Sequence, residues 1–188
     1  MTIMMDNSKC KLNLVSVRLV KDAPIMSAKP ILNPIDAVEL VGKEMCELDR
    51  EVCVVINLKA SGVPINCHIA SMGAVDTALC HPREILKTAI LSNAVKVVLV
   101  HNHPSGHLQP SNTDVMITDR LARACEEMGI PLVDHIIVGG NNTDYFSFAA
   151  KDIMPFPKIE YETDYNKIEL EGVMVAEEQS PSRPRRRR

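Results

Sequence analysis

Apolar residues recur along the chain with two different periods, and the changes of period mark the elements. In KLNLVSVRLV, Val15, Val17 and Leu19 alternate with Ser16 and Arg18, which predicts a strand, although Leu12 and Leu14 fall on the Ser16 face. NPIDAVELVGKEMCELD predicts a helix with Asn33 at its cap and Pro34 in its first turn. Ile35, Val38, Val41, Met45 and Leu48 form its apolar stripe. EVCVVINL reads as a strand, KASG as a turn and VPINCHIASMG as a second strand, together a hairpin. HPREILKTAILSNA reads as a helix opened by Pro82. VKVVLV then ends in an unbroken apolar run, the mark of a strand covered on both faces. SNTDVMITDRLARACEEMG predicts a helix that stops at Gly129, IPLVDHIIVGG another buried strand, and DYFSFAA a closing strand. The order β-α-β-β-α-β-α-β-β belongs to the α/β class: a mixed β-sheet flanked by helices.

Composition refines this picture without changing it. The chain has 188 residues, 46% of them hydrophobic and 3% aromatic, so its core must be aliphatic and filled by Met and Cys. Residues 11–153 are expected to form one domain, with 1–10 as an N-terminal tail. Residues 154–188 turn acidic and then arginine-rich, a block pattern expected to be disordered; a tether to nucleic acid or an acidic partner is its functional reading. A net charge of −3 gives no global pull toward nucleic acid. No stretch approaches the roughly 20 apolar residues that span a bilayer, and MTIMMDNSKCKLNL lacks the apolar centre of a secretory signal. The six cysteines are scattered without a C-x-x-C pair, which predicts reduced thiols and a cytoplasmic protein.

The chemistry concentrates in VVLVHNHPSGHLQPSNTD, residues 97–114. Side chains alternate along a strand, so His101 and His103 leave the sheet together if extended geometry persists through Asn102. Pro104 then ends the strand. Asp114 falls in the first turn of the next helix, able to face back. Two imidazoles and one carboxylate leave a tetrahedral Zn²⁺ one open position, the ligand count of a catalytic site. A second reading stands beside this one. Ser111-x-x-Asp114 is also the pattern of a capping box, and His-Asn-His-Pro can be a turn with two exposed imidazoles.

His-x-His, seven residues, then Ser-x-x-Asp resembles the signature of the JAB/MPN (JAMM) metalloprotease superfamily. The fuller string HNHPSGHLQPSNTD, preceded by HPREILKTAI and followed by LVDHIIVGG, is similar to the RadC-like branch found in bacteria, over roughly residues 12 to 150. The resemblance implies a JAB/MPN (cytidine-deaminase-like) core in which His101, His103 and Asp114 hold Zn²⁺, and a water takes the fourth position at a pKa of about 7. It also implies a general base from the junction CELDREVCVVINL, which makes Glu51 the candidate and Glu84 its rival. Ser111 would hydrogen-bond the oxyanion. His135 matches a position of RadC-like proteins and is expected to be buried or to support a ligand; His81 is expected at a helix start, His68 in a strand and His107 exposed. RadC proteins usually carry a helix-hairpin-helix region ahead of this domain, and here about 30 residues precede the first clear helix.

Three functions follow as expectations. The first is a zinc-dependent hydrolase of peptide or isopeptide bonds, with a peptide or protein substrate. The second is a nucleic-acid-associated protein of DNA repair or mobile-element function, supported by the arginine tail and opposed by the charge balance and the scarcity of aromatics. The third is a non-catalytic MPN scaffold, which retention of the full ligand set argues against.

Overall fold

The computed structural model describes residues 19–20, 29–73, 80–140 and 144–164. The chain divides into two units, Met1–Lys158 and Ile159–Arg188. In the second, residues 159–164 are described and carry no regular secondary structure.

The first unit opens on a helical rod, α1, from Pro34 to Cys46. It is α-helical over Pro34–Ala37, π-wound over Val38–Gly42 and α-helical again over Lys43–Cys46. Asn33 and Asp36 cap it reciprocally, each side chain bonding the other's backbone N–H, and Pro34 supplies the fixed φ that suits a first turn. Val38, Val41 and Met45 are buried as the stripe predicts. Leu48 is not part of it: the rod stops at Cys46, and Leu48 is 37% exposed beyond the cap. Strand β1 (Val52–Leu58) and strand β2 (Pro64–Met72) form the expected antiparallel hairpin. Helix α2 (Pro82–Leu91), strand β3 (Lys96–Asn102), helix α3 (Asn112–Glu127), strand β4 (Leu132–Val138) and strand β5 (Tyr145–Ser147) follow. Of the strand expected in KLNLVSVRLV, only Leu19 and Val20 are described, both exposed and in no strand; the rest lies outside the described residues.

The strands form one mixed sheet in the order β2-β1-β3-β4-β5. β1 pairs antiparallel with β2 and β3, β3 parallel with β4, and β4 antiparallel with β5. The parallel pair needs a crossover, which α3 provides. Alternation along the central strands divides the core in two. Val52, Val54, Ile56, Val98, Val100, Ile136 and Val138 pack against α1. Val55, Val97, Leu99 and Ile137 pack on the other face against Ile85 and Ala89 of α2 and Leu121 and Cys125 of α3. Covering both faces explains why β1 and β3 read as continuous apolar runs.

One cysteine expectation is corrected. Cys53 of β1 and Cys80, just ahead of α2, are joined as a disulfide. Among the described residues, Cys46, Cys67 and Cys125 are free thiols, and burial pushes the Cys125 thiol up to about 12. No described helix is long and apolar enough to cross a membrane.

Candidate metal centre

The site is built where β3 ends. Val97, Leu99 and His101 share one face of the strand, the face covered by α2 and α3. The backbone N–H of His103 still donates to Val138 O at 2.9 Å, so the extended run passes Asn102 and both imidazoles emerge on the same side. The chain then turns through Gly106, whose φ of +76° suits a residue without Cβ. This loop returns tightly over the end of β4: a Cβ on Gly139 would lie 3.1 Å from Gly106 O. The turn carries the His107 carbonyl to 2.6 Å from His103 Nδ1. A carbonyl only accepts, so the ring donates from Nδ1, and in the neutral imidazole Nε2 carries the bare lone pair.

Helix α3 supplies the third group. Ser111 is its N-cap and accepts from the Asp114 backbone N–H at 3.1 Å. Asp114 Oδ2 accepts in return from Ser111 N at 2.7 Å and from the Ser111 hydroxyl at 2.6 Å. Asp114 Oδ1 lies 3.2 Å from His101 Nε2, and Oδ2 lies 3.5 Å from His103 Nε2. The two Nε2 atoms are 2.9 Å apart. The capping box is therefore made, and the same bonds aim the carboxylate at the histidines.

The donor set fits a divalent ion. His101, His103 and Asp114 are all buried, with ligand atoms within 4.8 Å of one another. Tetrahedral ligands at about 2.0–2.2 Å from one zinc stand roughly 3.3–3.6 Å apart, close to the separations found. The electrostatics point the same way. Burial is the largest influence on Asp114 and works to raise its pKa. The neighbouring His101 and His103 rings and the Ser111 hydroxyl together outweigh it and hold the carboxyl well below the usual range. Asp114 raises the pKa of His103, against burial, with help from the His107 carbonyl and Glu51. A buried anion facing two imidazoles is a site that attracts positive charge.

The other expected residues separate cleanly. Glu51 is half-buried and lines a cavity of about 660 Å³ that His101, His103, Ser111 and Asp114 also line. That volume lies in the range of ligand sites. Glu84 is not among the lining residues; it pairs with Lys87 and Arg83 on the first turn of α2. Lys87 above all holds its carboxyl below the usual range. His81 caps α2 and accepts from Arg83 N. His68 lies in β2, and His107 is exposed in the motif loop.

His135, on β4, is 1% exposed, and its Nε2 is 2.8 Å from His101 Nδ1. Burial drives its pKa well below the ordinary value. Two further contributors are not among the residues singled out from the sequence. Asn102 accepts from Val52 N at 2.7 Å and donates to Arg50 O at 3.0 Å, gripping the backbone on either side of Glu51. Thr118 bonds His135 Nδ1 at 2.6 Å from one turn inside α3. Its spacing of four residues from Asp114 could have placed it on the same helix face.

Comparison with known proteins accords with this architecture. The sequence profile of the RadC-like JAB domain matches residues 31–153. A UPF0758 protein of Desulfitobacterium hafniense is 37% identical over 138 residues, which is 73% of this chain and 59% of that protein. A UPF0758 protein of Clostridium perfringens is 39% identical over 124 residues, 66% of this chain and 54% of that one. A UPF0758 protein of Thermotoga maritima is 45% identical over 106 residues, 56% and 47% respectively. The chain thus spans about half to three-fifths of the length of these curated relatives. With the profile covering the hairpin, the histidine-bearing strand and the helix that delivers Asp114, this chain belongs to the RadC-like JAB domain family.

Proposed function

We propose that this chain is a zinc-dependent hydrolase of amide bonds, acting on a peptide or isopeptide-linked protein substrate. The observation that carries the reading is the convergence of His101 Nε2, His103 Nε2 and an Asp114 oxygen on one point at the wall of an open cavity. When bound there, zinc would supply Lewis acidity and lower the pKa of a coordinated water toward about 7.

The remaining work falls to the chain's own groups. Glu51 accepts the proton of the attacking water and passes it to the leaving nitrogen, which requires a carboxylate on the cavity but outside the ligand set. Its place in the cavity lining and the Asn102 grip on its flanks support that role. Ser111 donates to the oxygen that becomes negative in the tetrahedral intermediate. Its single proton now bonds Asp114 Oδ2. Rotation of the hydroxyl about Cβ–Oγ turns that proton toward substrate without moving the oxygen that caps the helix.

Metal analysis with peptide and isopeptide substrates tests the proposal. The wild-type protein is expected to bind one zinc per chain and His101→Ala and Asp114→Ala to bind none. Glu51→Gln should keep zinc while lowering turnover by about 10²–10⁴-fold. Folded wild-type protein that takes up no zinc on reconstitution would end this reading. Zinc-loaded protein inert toward all such substrates would favour a scaffold.

A further inference from the structure

We infer that Thr118 and His135 are positioning residues that fix which nitrogen of His101 is left bare, through a line of hydrogen bonds anchored on the Asp114 main-chain carbonyl. The inference rests on the proposed metal site for its meaning, but its direction follows from atoms already described.

The line begins at a group that cannot donate. Thr118 Oγ1 lies 2.6 Å from Asp114 O. A carbonyl has no proton, so the threonine hydroxyl proton occupies that bond. The hydroxyl has only one. Its second contact, 2.6 Å to His135 Nδ1, must therefore be donated by the ring. His135 is stacked on Phe148, with centroids 5.0 Å apart, and is 1% exposed. Such burial favours the neutral imidazole, which has a single N–H. With that proton on Nδ1, His135 Nε2 is an acceptor, and the 2.8 Å bond to His101 is donated by His101 Nδ1. His101 Nε2 is consequently bare, and it is the nitrogen that faces Asp114 Oδ1 and His103 Nε2.

The two histidines reach the same state by different means. His103 has a backbone carbonyl on its Nδ1, a partner that no substitution of a side chain can reverse. His101 has an imidazole, which can run in either direction. Removing the threonine hydroxyl frees His135 to carry its proton on Nε2 instead. His101 Nδ1 must then accept, and its own proton moves to Nε2, where it blocks coordination. The anchor also joins two of the three ligands, since the residue whose carbonyl fixes His101 is the one whose carboxylate faces it.

Two measurements on the whole protein test this. Long-range ¹H–¹⁵N NMR of the metal-free wild type, at a pH where His101 is neutral, should find that ring protonated on Nδ1. Thr118→Val should show a substantial Nε2–H population and a zinc affinity lower by about 10–100-fold. Thr118→Ser should restore both. A purely structural threonine would lower stability without redistributing the tautomers. Wild-type His101 protonated on Nε2 would overturn the inference, as would Thr118→Val with an unchanged tautomer and zinc affinity. The wild-type spectrum decides the matter even if the valine variant does not fold. Wild type that binds no zinc yet holds His101 as Nδ1–H would refute the hydrolase reading and leave the positioning line standing.

Discussion

Asn102 shows what one buried amide does between His101 and His103. Alternation sends it to the opposite side of β3 from His101, and there it completes the β1 ladder with its side chain in place of a backbone. Asn102 and Val52 are each 1% exposed, so the Val52 N–H has no water as a ready substitute, whereas Arg50 is exposed. Asn102→Ala should therefore cost about 1–3 kcal/mol, the penalty for stranding a buried polar group. Because His101 and His103 lie on the other face, the proposed zinc affinity should hold while Glu51 loses its anchorage and turnover falls. Urea unfolding beside a zinc titration and a rate measurement checks this; equal losses of zinc and activity would place Asn102 in the ligand set instead. The direction of His101 and His103 was legible because alternation is a local rule. Asn102 was not, because its partners lie 50 and 52 residues away and an Asn at a strand end ordinarily signals a turn.

Helices α1 and α3 open on the same device and differ in what it serves. Asn33 and Asp36 cap α1 far from any ligand, whereas Ser111 and Asp114 cap α3 with the atoms of the site itself. Asn33→Ala should lose about 1 kcal/mol of stability with zinc binding and turnover intact. Ser111→Ala should lose a similar amount and also reduce turnover by about 10²–10³-fold. Equal turnover in both variants would reduce Ser111 to a cap. Asp36 adds a pH dependence. Its ion pair with Lys29 and its bonds from the Leu32 and Asn33 N–H groups hold its pKa below the ordinary value, against burial. A folded pKa below the unfolded one gives stability that is present above the unfolded value of about 3.9 and is lost as pH falls through the folded one. Unfolding free energy should thus fall below about pH 4, and less steeply in Asp36→Asn. Helix starts were legible from Asn-Pro, His-Pro and Ser-x-x-Asp. The end of α1 was not, because Leu48 continues the apolar spacing after the chain has capped.

At the scale of the whole unit, the site joins parts of the chain that the sheet brings together from afar. The sequence pattern shows two-sided burial in β3 and a buried β4, but nothing local records that β3 pairs with both β1 and β4, or that Cys53 meets Cys80. Such pairings depend on which faces the helices cover, and single segments do not carry that information. The same geometry determines what a metal would do to stability. His101 and His103 end β3, Asp114 begins α3, and His135 on β4 backs His101, so one ion would tie the crossover helix to the two central parallel strands. An unfolded chain offers no such assembled site, so binding adds RT ln(1 + [L]/Kd) to the folded state alone, about 2.7 kcal/mol at a hundredfold excess over Kd. For a unit of this size that corresponds to a rise in Tm of about 5–10 °C. The rise should vanish on adding a chelator and be absent in His101→Ala and Asp114→Ala. In Thr118→Val it should need about 10–100 times more zinc to appear. Calorimetry across a zinc series measures all four. A rise of equal size in His101→Ala would mean that the stabilising ion binds elsewhere, because no arrangement of the remaining imidazole and carboxylate reproduces three ligands on one point.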